Sequence, residues 1–109
     1  MKPELQQIKI AEACGWTPSK FDSCWNNVAA MATVESLPDY LNDLNAMHEA
    51  EKILTIEAQC AQYAANIAKI VKGFWHDPYR GVASYIWHAT AAQRADAFLK
   101  TLNLWEDEQ

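Results

Sequence analysis

The segment PDYLNDLNAMHEAEKIL, residues 38–54, gathers titratable side chains on a stretch of helical pattern. His48-Glu49 opens like the metal-gripping helix of a zinc protease. That helix needs a second imidazole one turn on, so that two ring nitrogens hold the ion. Position 52 is Lys52 instead, and its charge repels a cation. The motif fails, and His48 reads as a boundary residue beside an apolar stripe. Asp39 and Asp43 are spaced i,i+4, a like-charge pair that weakens a helix slightly. With Asn42 and Ala46 they form a polar strip opposite the core face. Such a strip is ordinarily a solvated face. Its functional reading is a docking surface for a basic partner.

A second concentration lies in FWHDPYRG, residues 74–81, followed by Trp87 and His88. Trp75, His76, Tyr79, Arg80 and Trp87 are candidate partner- or ligand-binding residues. Aromatic faces with an Arg suit stacking on a base or gripping a phosphate. Trp, Tyr and Arg are also the usual anchors of protein interfaces. Equally, the aromatics could fold back and plug the core, with Pro78 and Gly81 making the turn either way. Acid–base work is not supported. His76 and Asp77 are adjacent, so their side chains diverge in an extended segment. No Ser or Cys near them has a positioned base. Gly15, Gly73 and Gly81 form no phosphate-cradling loop. No catalytic residue, metal ligand or cofactor is assigned, and the chain reads as a non-enzyme.

The elements that must position these residues are mostly helices. Residues 3–14 form a first helix, with Pro3 in its opening turn and Gly15 as its C-terminal cap. Residues 17–35 show no clear period. Ser36-Leu37-Pro38-Asp39 carries helix-start chemistry. Leu37, Tyr40, Leu41, Leu44, Met47 and Leu54 then make one apolar stripe. A second cap at Thr55 opens a further helix striped by Ile56, Cys60, Tyr63, Ile67, Ile70 and Val71, ending at Gly73. Val82 to Trp87 has strand-like composition. Thr90 and Gln93 form a capping box before a last helix carrying Ala95, Phe98, Leu99 and Leu102. The tail from Glu106 is expected to fray. Alanines crowd the last two helices, which allows close packing or self-association into a homo-oligomer.

The totals bound the class. The chain has 109 residues, 50% of them hydrophobic, and a formal net charge of −5. One domain spanning residues 1–109 is expected, large enough to bury a core. Direct binding to nucleic acid is not expected, since that needs a basic stripe. Three cysteines without paired spacing read as buried free thiols in a reducing compartment. No run is long enough for a membrane span. The expected fold is α+β, a small helix-rich single domain with about four helices and at most a small sheet.

LPDYLNDLNAMHEAEKIL, ATAAQRADAFLKTLNLW and IAEACGW together resemble the phage ABA sandwich domain family, and they keep its order. The resemblance implies a bacteriophage protein of unassigned activity, with helices covering a small sheet. It carries no catalytic residues over. The helical reading of residues 56–72 departs from that pattern. It also implies location in the host cytoplasm, a host protein partner, and modulation of a host complex such as an antiphage defence system. Sequestration of a small nucleotide-type signalling ligand is the alternative, and a small hydrolase a weaker one.

Overall fold

The computed structural model describes residues 1–19, 23–28, 31–74 and 89–107. Helix α1 spans Pro3–Ala13. It ends at Gly15, whose φ of +95° suits a residue without a Cβ and whose N–H donates to the Glu12 carbonyl at 3.1 Å. The chain then forms β1 (Trp16–Pro18), β2 (Trp25–Asn27) and β3 (Ala32–Val34). They make an antiparallel sheet in the order β1-β2-β3. Thr17, Asn26 and Thr33 stand in one cross-strand row, and Thr33 Oγ1 donates to Asn26 Oδ1 at 3.0 Å. In the next row, Asn27 is buried and its Nδ2 donates to the Cys14 carbonyl at 3.0 Å. That bond ties the sheet to the end of α1. Strands of three residues are too short to show an alternating pattern, so residues 17–35 have no legible period.

The helix expected from Ser36 starts later. Helix α2 spans Leu44–Glu51. The carbonyls of Leu37 and Pro38 accept from Gln7 Nε2 of α1, at 3.3 and 2.9 Å. Tight turns follow, with Tyr40 N–H bonded to Pro38 and Asp43 N–H to Asp39. These bonds hold the segment in a turn, and Tyr40 is buried there with 2% exposure. Leu44, placed in the apolar stripe by its period, is exposed as the first residue of α2.

Helix α3 spans Glu57–Phe74, so Gly73 lies inside it rather than at its end. The Ile56 carbonyl accepts its first helical bond, from Cys60 N–H at 3.1 Å. Ile56 therefore stands outside the helix, and both it and Cys60 are exposed, unlike the stripe read for them. Helix α4 spans Ala91–Thr101 and begins with the capping box. Gln93 N–H donates to Thr90 Oγ1 at 3.2 Å, and Thr90 N–H to Gln93 Oε1 at 2.9 Å.

Helix α4 is the hub, packed against α1, α2 and α3. Ala95, Ala97, Phe98 and Leu99 have no exposure at all. The Tyr63 ring meets Phe98 edge-on, with centroids 6.5 Å apart and planes at 89°. Asn66 Nδ2 donates to Thr101 Oγ1 at 3.1 Å, a polar clasp between α3 and α4. The described residues thus form a small α+β fold of four helices and one three-stranded sheet. No described helix is long and apolar enough to cross a membrane.

Candidate interaction site

Trp75, His76, Tyr79, Arg80 and Trp87 lie outside the described residues, as does the strand-like segment from Val82 to Trp87. Asp39 and Asp43 are described, and both are exposed. They do not share a helix face. Asp43 is the N-cap of α2, and its Oδ1 accepts from the N–H groups of Asn45 at 2.9 Å and Ala46 at 3.4 Å. The cap chemistry expected at Ser36 is therefore performed by Asp43. The Asp39 carboxylate accepts from Asn42 Nδ2 at 3.1 and 3.2 Å. The acidic strip is a capped turn.

That turn borders a groove of about 400 Å³, lined by Pro3, Gln6, Leu41, Asn42, Ala92, Asp96 and Trp105. Pro3 and Gln6 are three apart on α1, and Ala92 and Asp96 four apart on α4, so each pair shares a face. Trp105 reaches the groove because the chain reverses after α4. Asn103 adopts φ 59°. Its N–H donates to the Lys100 carbonyl at 3.2 Å, and the Leu104 N–H to the Leu99 carbonyl at 2.8 Å. This pair of bonds closes a helix C-terminus and turns the chain back. Lys9 of α1 then meets Glu106 at 3.4 Å, and Asp107 accepts from Trp105 Nε1 at 3.2 Å. Of the tail expected to fray, Glu106 and Asp107 are described, and Glu106 pairs with Lys9 of α1.

Asp96 sets the groove's polarity. Its Oδ1 is buried, and among the described residues no donor meets it with hydrogen-bond geometry. Its counter-charge is the Lys100 ammonium, 2.8 Å away. The same ammonium lies 4.7 Å from the centroid of the Trp105 ring. A carboxylate and an indole face thus bracket one cation. Sequence reasoning passed over Asp96 and Trp105. The available signal was Asn103, an αL-tolerant residue just past the last apolar position of α4.

A charged cluster joins α2 to α4. Glu51 Oε1 accepts from His48 Nδ1 at 3.0 Å and stands 3.5 Å from Arg94 Nη1. Arg94 is buried, and its Nε donates to the Ala89 carbonyl at 3.3 Å. The Tyr63 hydroxyl is buried beside this pair, and among the described residues no group meets it with hydrogen-bond geometry. Burial first, then the Glu51 charge, pushes its pKa up, and Arg94 opposes. His48 is an exposed member of this network rather than a residue at the core boundary. Among the described residues it bonds Glu51 and no nucleophile. Lys52, in the place of the missing second imidazole, pairs with Glu49 at 2.7 Å. Among the described residues no group of three His, Cys, Asp or Glu side chains could hold a metal.

The cysteines are free, though less buried than expected: Cys14 and Cys24 are half-buried and Cys60 is exposed. Burial pushes the Cys14 thiol up, while a hydrogen bond from Tyr40 opposes the shift. Tyr40 is itself raised, by burial and by the Cys14 charge, and the Trp16 bond opposes that rise.

No family model, no curated protein and no solved structure matches this chain.

Proposed function

We propose that this chain is a small non-enzymatic interaction protein that docks a basic segment of another protein along the groove between α1 and α4. The observation that carries this reading is the groove itself. Its apolar walls, Pro3, Leu41, Ala92 and the Trp105 indole, surround one carboxylate, Asp96. Asp39 sits on its border through Asn42. Trp walls are frequent interface anchors, and a net charge of −5 favours encounter with a basic surface. By its resemblance to phage proteins, the partner is a host protein. The effect of docking is then modulation of a host complex, with a defence system as the leading case.

The test is comparative capture. Wild-type protein and a Leu41→Lys, Trp105→Ala variant are immobilised side by side and exposed to host lysate. Circular dichroism must first show that the variant keeps its helices. A protein retained by the wild type, lost from the variant and bound again by calorimetry after purification supports the reading. Equal capture by both proteins would overturn it.

A further inference from the structure

We infer that Met31 is a redox modification site, a methionine that peroxide converts to its sulfoxide, and that a reductase restores, while the fold stands. Met31 belongs to the turn between β2 and β3, does not line the groove, and is independent of the docking reading.

Neither packing nor backbone preference accounts for a methionine here. Met31 is 92% exposed, so its side chain buries almost nothing. Its φ is 52°, in the left-handed region that glycine, asparagine and aspartate occupy at less cost. Its N–H donates to the Val28 carbonyl at 3.2 Å, a turn bond that asks for no particular side chain. A strained, exposed residue of this kind points to its own chemistry, which for methionine is that of a soft thioether.

The other two methionines supply the contrast. Met47 has no exposure and sits in the core, while Met1 is half-buried against it. Oxidation requires access. A sulfur lone pair attacks one oxygen of hydrogen peroxide, the O–O bond breaks and an S–O bond forms. The second oxygen leaves as water, and the two electrons lost by sulfur are gained by the peroxide. In the reverse step a dithiol supplies two electrons and becomes a disulfide, and the sulfoxide oxygen leaves as water. At Met31 the new polar group stands in solvent, so no buried contact is lost. Met31 and the exposed Val28 line a hollow of about 320 Å³ together with Asn26, Asn27, Ala32 and Thr33. Oxidation therefore turns one of its two large apolar side chains polar and leaves the core packing as it is.

The experiment treats the folded protein with hydrogen peroxide and follows each methionine by peptide mapping, which also separates thiol oxidation at exposed Cys60. Met31 is expected to take up oxygen first. Met47 should react at least about a hundredfold more slowly, because it is reached only when the core opens. Protein oxidised at Met31 alone should melt where untreated protein does. Methionine sulfoxide reductases for both epimers, with a dithiol, should return it to its starting mass without denaturant. Met31→Leu should remove the first uptake and keep the melt. Earlier uptake at Met1 or Met47, a lowered melt after oxidation at Met31, or repair that requires unfolding would each overturn the inference.

Discussion

Tyr40 and Tyr63 make the chain sensitive to alkali. Both phenols have folded pKa values raised above the ordinary range, in each case chiefly by burial. In the unfolded chain a phenol ionises near pH 10. Below that pH neither state loses a proton and the stabilisation is fully present. Above it the unfolded state gains charge that the folded state resists, and stability falls by up to about 1.4 kcal/mol per pH unit for each phenol. Thermal melts should therefore begin to fall at about pH 8.5, where the Cys14 thiol ionises in the unfolded chain, and fall more steeply beyond about pH 9.5 as the phenols join it. Tyr63→Phe should fall less steeply, and an identical slope would remove Tyr63 from the account. The thiols differ in the same spirit. Under native conditions a disulfide reagent at pH 8 should modify exposed Cys60 first and Cys14 last. All three should react together once denatured, and a missing equivalent would reveal a disulfide.

Helix ends dominate at the scale of elements. Thr90→Ala removes one half of the capping box of α4 and should cost about 1 kcal/mol in urea unfolding. Asp43→Ala should cost a similar amount by freeing the first N–H groups of α2. Were α2 to start at Ser36 instead, Ser36→Ala would carry that loss and Asp43→Ala would be silent. The C-terminus of α4 supplies a sharper test. Asn103 holds φ 59°, a conformation that costs a β-branched residue about 1–2 kcal/mol. Asn103→Val should lose that stability and release Trp105, seen as a red shift in its fluorescence. Asn103→Gly should retain both.

For the whole molecule, α4 is the element on which the others depend. Phe98 has no exposure and meets Tyr63 edge-on. Phe98→Ala should cost about 3–5 kcal/mol, a large share of the stability of a domain this size. Loss of cooperative melting is the expected readout. The groove is a by-product of the same packing. It is lined by residues of α1 and α4, by Leu41 and Asn42 of the turn before α2, and by Trp105 of the reversed C-terminal segment. A destabilised α4 therefore removes the groove together with the core.

What the sequence determined by itself was local. The α4 capping box, the Gly15 cap, and the burial of Tyr63, Ile67, Val71, Phe98 and Leu99 all follow from side chains acting within one turn or one helical period. Those signals suffice for an α+β class dominated by helices. Where a local signal was overridden, tertiary contact accompanies the change. Ser36 carried the cap signal, yet Asp43 caps α2, and Gln7 of α1 bonds the carbonyls of Leu37 and Pro38 in the turn between them. The sheet was illegible because its strands are stabilised by cross-strand partners rather than by a pattern of their own. The pairing of Glu51 with Arg94, 43 positions apart, was likewise invisible, since nothing in either helix specifies its neighbour. The candidate site belongs to this second kind. Pro3, Leu41, Asp96 and Trp105 are spread along the chain, and only the packing of α1 against α4 and the reversal at Asn103 bring them to one groove.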